Sequence, residues 1–171
     1  MASSPLQIAA TLTASPAPEG SPTQENPTME TLRLPYSTLS ADTYRHFLGA
    51  KTALENGPLD AATLELINLR VSQLNGCAFC TQMHAARLRE QGIDNGKIDS
   101  IAGWRASRHF TSRERAALAW ADALTRVDET AAPDETYTPL LAHFSETEVS
   151  DLTFAIALMN ALNRIGVGMR L

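Results

Sequence analysis

Two cysteines, Cys77 and Cys80, stand three positions apart in this sequence; His84 follows the second by four positions and Glu65 precedes the first by twelve. A dithiol of this spacing can cycle between reduced and disulfide forms. An imidazole with a carboxylate behind it supplies what a thiol needs to become a thiolate at neutral pH. Two thiolates, an imidazole and a carboxylate would also make a set of four zinc ligands, but the spacing is compact and no other Cys or paired His lies nearby. Free cysteines are often inert core residues as well. The coincidence of the dithiol with a histidine and a turn favours redox use over both alternatives.

The elements that must position these groups are helices. Ser40 can cap a helix from Ala41 to about Leu54, and Pro58 fits the first turn of the next, which runs to about Leu74 with Leu64, Ile67 and Val71 on one buried face. Asn75-Gly76 breaks the chain. A helix then runs from Cys77 to Gln91, closed by Gly92, and a short one covers Asn95 to about Ala102. Thr111 with Glu114, and Ser145 with Glu148, form two capping boxes that open helices to about Arg126 and about Leu162. Pro133 starts another between them, ending near His143. No strand-like alternation of any length is present. The expectation is an all-α, single-domain bundle of about six to seven helices.

Residues i, i+3 and i+7 share a helix face, so Cys77, Cys80 and His84 line up. The turn puts Cys77 at a helix N-terminus, where unpaired N–H groups and the dipole favour a thiolate. Contact with His84 favours Cys80 instead, and the pattern alone leaves the order of attack open. Glu65, on the preceding antiparallel helix, can reach the depth of His84, hold the imidazole in one tautomer and raise its basicity.

The 171 residues are 44% hydrophobic, enough for one domain with a sizeable core. A net charge of -5 argues against nucleic acid or an anionic membrane as partner. No uninterrupted apolar run approaches the ~20 residues of a spanning helix. Five of the nine prolines fall in the first 28 residues, among Ser, Thr and Ala and without Lys or Arg. Residues 1–30 read as a disordered or loosely docked tail without the basic features of a targeting signal, leaving 31–171 as the folded domain, with the cytoplasm as the expected compartment.

The run from Glu65 to His84, with its Glu-x11-Cys-x2-Cys-x3-His spacing, resembles the core signature of the alkylhydroperoxidase D family, within the carboxymuconolactone decarboxylase-like superfamily. Trp104-Arg105, the stretch from Arg113 to Asp122 and that from Asp151 to Asn160 resemble later helices of its peroxidase-related branch, so the similarity covers roughly residues 32 to 168. The resemblance implies an all-helical AhpD-like fold, homo-oligomers (often trimers or hexamers) and thiol peroxidase activity that needs no metal, haem or flavin. In such enzymes the second cysteine, here Cys80, attacks the peroxide, and the first, here Cys77, resolves the sulfenic acid as a disulfide. Glu65 and His84 relay the proton, through a water. The partners implied are a hydroperoxide substrate and a dithiol reductant. The best-studied branch has a second histidine where this chain has Phe79, so its relay has one member more. True lactone decarboxylases generally lack the dithiol, and decarboxylation is not implied.

Competing functions are a general disulfide reductase or redox sensor using the same cysteines, and a non-enzymatic oligomeric binding protein. His46, His109 and His143 read as surface or cap residues. Trp104 and Phe110 read as core in preference to pocket wall. Arg70 lies off the Glu65 face and fits an ion pair across helices. The last helix is apolar nearly all round, which suggests a subunit contact as well as a core. Gly166-Val-Gly168 is too short for a nucleotide motif.

Overall fold

The structure, a computed structural model, describes residues 32–171, so the reading of residues 1–30 as a tail lies outside the described residues. The fold is all-α, with no strand among the described residues. In chain order the helices are α1 (Tyr36–Leu39), α2 (Ala41–Glu55), α3 (Ala61–Leu74), α4 (Ala78–Glu90), α5 (Asn95–Ser100), α6 (Ser112–Thr125), α7 (Val127–Thr130), α8 (Asp134–Tyr137) and α9 (Glu146–Met169). Short 3-10 turns follow α5 at Ile101–Gly103 and α8 at Thr138–Ala142.

Both capping boxes form: Thr111 and Ser145 each accept from the backbone N–H three residues on, and Glu114 and Glu148 bond back to the cap residue. Other boundaries differ from expectation. Pro58 lies before α3, and the cap is Asp60, whose carboxylate accepts from the Thr63 N–H at 2.8 Å. Ser40 makes no side-chain cap bond, because it closes the single turn of α1. The helix expected from Pro133 to His143 is one α-turn continued by a 3-10 turn around Pro139, which has no N–H to give. The last helix runs on past Leu162 to Met169.

α3 is the axis of the bundle. Leu66, Ile67, Leu69 and Val71 are buried, and α4, α6 and α9 pack around it. α9 supplies Val149, Leu152, Ile156 and Met159 to the same core, while α2 lies along α9. By length and composition alone α9 could cross a membrane; here one face is core, and its buried Asn160 and Asn163 are hydrogen-bonded to α3, α6 and the turn after α3. Its outer face is apolar too, with Phe154 66% exposed. Trp104 and Phe110 belong to the core, as expected. Arg70 crosses from α3 to α6 and holds Asp122 through two bonds of 2.6 and 3.1 Å; Arg105 and the Trp104 indole also bond to that carboxylate.

Candidate active site

The turn between α3 and α4 sets the geometry. Gly76 takes a left-handed conformation (φ 67°), its N–H bonds to the Gln73 carbonyl and the Cys77 N–H to the Ser72 carbonyl. That paired pattern ends a helix with a glycine just past its cap. The same turn delivers Cys77 as the N-cap of α4, outside the helix by one residue, with its Sγ 3.4 Å from the Cys80 N–H. The structure pairs the two sulfurs, with Cα atoms 5.4 Å apart, a span a disulfide accommodates.

Glu65, Cys77, Cys80 and His84 are all buried, and His84 fully so. His84 Nδ1 lies 2.6 Å from Glu65 Oε2, and the Arg87 Nη1 donates to the other carboxylate oxygen at 3.2 Å. Burial pushes the Glu65 carboxyl up. The hydrogen bond and charge of His84, with the charge and hydrogen bond of Arg87, more than offset this and hold it below its usual range. An ionised carboxylate at Nδ1 selects the tautomer that keeps the proton there, leaving Nε2 as the basic atom. Nε2 is buried and has no hydrogen-bond partner among the described residues. A buried base without a partner is costly unless something else uses it.

A cavity of about 450 Å³ opens on this group. Cys80 and His84 border it from α4, together with Phe79, which is 48% exposed. Tyr36 and Tyr44 line it edge to face, ring centres 5.5 Å apart. Burial and the neighbouring Tyr44 push the Tyr36 phenol up. Cys77 does not border the cavity. It lies under α9, where a Cβ on Gly166 would come within 3.3 Å of its sulfur and 3.8 Å of that of Cys80.

All four residues singled out in the sequence therefore meet in one place. The other histidines do not: His46 bonds to the Asp42 carbonyl, His109 pairs with Asp94, and the His143 carbonyl accepts from Arg113, all at the surface. Among the described residues no group of three or more His, Cys, Asp and Glu is arranged to hold a metal ion. Three contributors escaped the sequence reading. Gly166 lets α9 approach the sulfurs. Asn163 donates to Ser72 Oγ at 3.1 Å and accepts from Asn75 at 3.1 Å, pinning the turn to α9. Leu171, turned back by the left-handed Arg170, lines the cavity.

Known proteins share the family and the fold. Residues 40–123 match the carboxymuconolactone decarboxylase family. The uncharacterized protein YdfG of Bacillus subtilis is 30% identical over 137 residues, 80% of this chain and 93% of that protein. A crystal structure from Agrobacterium tumefaciens, of a protein of unknown function provisionally assigned to antioxidant defence as AhpD, superposes with a TM-score of 0.79. It is 38% identical and covers 82% of this chain and 96% of that one. The debrominase Bmp8 is 21% identical, with a TM-score of 0.70 over 78% of this chain and 72% of its own; at that identity the likeness is one of fold.

Proposed function

The chain belongs to the carboxymuconolactone decarboxylase family, on its AhpD-like side, and from that premise we propose that it is a thiol peroxidase that reduces organic hydroperoxides through Cys80 and Cys77. The observation that carries the reading is the His84 ring: one nitrogen is held by an ionised carboxylate, and the other is buried, without a partner among the described residues, and on the same cavity as Cys80.

In the reduced protein His84 Nε2, directly or through one water, takes the Cys80 proton. The thiolate attacks the distal oxygen of the hydroperoxide. The S–O bond forms as the O–O bond breaks, and the departing alkoxide leaves as the alcohol with the proton held at His84. Cys80 is now a sulfenic acid, oxidised by two electrons. Cys77 attacks that sulfur, the S–S bond forms as the S–O bond breaks, and the hydroxide leaves as water with the proton that the Cys77 thiol gives up, so the Cys77–Cys80 disulfide forms. An external dithiol returns both thiols by two exchange steps and carries away the disulfide. Glu65 stays ionised throughout and stabilises the imidazolium while it holds the proton. The division of roles follows exposure: Cys80 faces the cavity, whereas Cys77 lies under α9 within reach of Cys80. The apolar outer face of α9 supports a homo-oligomer as the working form.

The test is stopped-flow oxidation of the reduced protein by cumene hydroperoxide, with wild type, Cys80→Ser and Cys77→Ser. Fast disulfide formation in wild type is expected. In Cys77→Ser a Cys80 sulfenic acid should be trapped by dimedone, and Cys80→Ser should show no fast phase. A wild type no faster than a free thiol towards peroxides, yet fast with small disulfides, would replace this reading with that of a general disulfide reductase or redox sensor.

A further inference from the structure

The cavity beside Cys80 carries more than the peroxide chemistry requires. Its walls are largely apolar, with Leu48, Phe79, Met83, Met159, Leu162 and Ile165. Among the described residues two cations also line it, Lys51 from α2 and Arg87 from α4, and no Asp or Glu side chain does. The α4 wall presents Cys80, Met83 and Arg87 at i, i+3 and i+7, one face of the helix. At the rise of an α-helix this puts the guanidinium-bearing residue about 10 Å along the axis from the thiol. The α2 wall presents Tyr44, Leu48 and Lys51 in the same way, at i, i+4 and i+7. Each wall thus runs from an aromatic or sulfur-bearing end through an aliphatic middle to a cation.

Neither cation is used up by its protein partner. Arg87 gives one of its five N–H donors to Glu65. Lys51 pairs with Glu55 on its own helix, and Glu55 is not on the cavity wall. The volume matters as well. A water-sized molecule occupies about 30 Å³, so hydrogen peroxide would be loose in a space of about 450 Å³. Pockets that hold an organic ligand span roughly 300–1,000 Å³.

The geometry points to an amphipathic anion as substrate: a hydroperoxide on an apolar chain that ends in a carboxylate. The hydroperoxide meets Cys80 and His84, the chain lies against the aliphatic walls, and the carboxylate is held by Lys51 with Arg87. The product is the corresponding hydroxy acid, with one hydroxyl where the hydroperoxide stood. This inference rests on the peroxidase reading and adds a charge requirement that the reading does not contain.

The experiment compares linoleic acid hydroperoxide with its methyl ester, with cumene hydroperoxide as neutral control, in wild type, Lys51→Met and Lys51→Arg at fixed ionic strength. A carboxylate held by charge-assisted bonds predicts a kcat/KM for the acid on the order of tenfold above that of the ester, expressed in KM. Lys51→Met should bring acid and ester near parity, Lys51→Arg should restore the preference, and cumene hydroperoxide turnover should be the same in all three. Binding of dodecanoate below its micellar concentration and of dodecanol below its solubility limit, read by calorimetry, needs no turnover. The acid should bind more tightly, and Lys51→Met should remove the difference. Equal rates for acid and ester with cumene hydroperoxide turned over, or dodecanoate binding indifferent to Lys51→Met, would overturn the anion subsite and leave the peroxidase standing. Failure of every hydroperoxide to react would remove the peroxidase, and this inference with it.

Discussion

Glu65→Gln isolates the charge behind His84 while keeping the shape of the side chain. In the wild type Nδ1 donates to an ionised oxygen at 2.6 Å in a buried setting, and Arg87 holds the other oxygen. Glutamine still offers a carbonyl to Nδ1, so the ring and its tautomer are kept and the charge is lost. A hydrogen bond to a charged group is worth about 1.5–3 kcal/mol against about 0.5–1.5 for a neutral one. The imidazolium formed when His84 holds the Cys80 proton therefore loses about 1–2 kcal/mol. That corresponds to a Cys80 oxidation roughly 5- to 30-fold slower at neutral pH. Because the charge that favours the imidazolium is gone, His84 in the variant is free to act as base at lower pH, so the acid limb of the rate profile should move downward while its plateau falls. The assay is stopped-flow thiol oxidation by cumene hydroperoxide across pH, with fluorescence confirming the fold. A merely structural Glu65 would lower the folded fraction and leave the pH profile in place. Acid stability gives a second readout. The folded-state pKa of Glu65 is depressed, so its stabilising contribution is present above the unfolded value, about 4.3, and is lost as pH falls through the folded one. Glu65→Gln should flatten that acid limb. A variant with wild-type rate and pH profile refutes the reasoning whatever its stability.

Gly166→Ala places a methyl 3.3 Å from both Cys77 Sγ and Leu171 Cδ1. Alanine gains about 1 kcal/mol of helix propensity, against about 1–3 kcal/mol for overpacking, so a net loss of about 1 kcal/mol is expected in denaturant midpoints, and a more stable variant would count against the close approach. Asn163→Ala strips partners from Ser72 and Asn75 in a fully buried site and should cost about 2–3 kcal/mol; a loss under about 1 kcal/mol would mean that water replaces the amide. Asp122→Asn removes the charge that Arg70 and Arg105 share. It should lower stability by about 3 kcal/mol while leaving peroxide reactivity of the folded protein unchanged, since Asp122 does not border the dithiol cavity. In the reduced protein, limiting iodoacetamide should tag Cys80 before Cys77, as read by peptide mass; equal labelling would contradict the difference in access.

The features legible in the sequence are those made by short-range bonds. Thr111 with Glu114 and Ser145 with Glu148 close their caps within one turn, and Asn75-Gly76 ends α3 by bonds that span at most five residues. Cys80 and His84 share a face because one helix carries both. Glu65 was reachable because an antiparallel neighbour across a tight turn has little freedom. Boundaries were less legible where two local signals compete: Pro58 and Asp60 both suit a helix start, and Asp60 prevails because its side chain satisfies a backbone donor that a proline cannot. The spacing of the two thiols left their order open and only the resemblance assigned it, because what covers each sulfur is not local, and the cover comes from α9, nearly ninety positions on. A sign of it was present nonetheless. A glycine inside a helix otherwise rich in Leu, Ile and Ala costs about 1 kcal/mol relative to alanine, so Gly166 called for a reason. Weighing Gly166-Val-Gly168 only as a nucleotide motif missed the alternative, that a neighbour comes too close for a Cβ. With that neighbour identified as Cys77, the glycine is what lets α9 pass this close over the dithiol. The approach is tighter on the first sulfur, and the second is the one that borders the cavity.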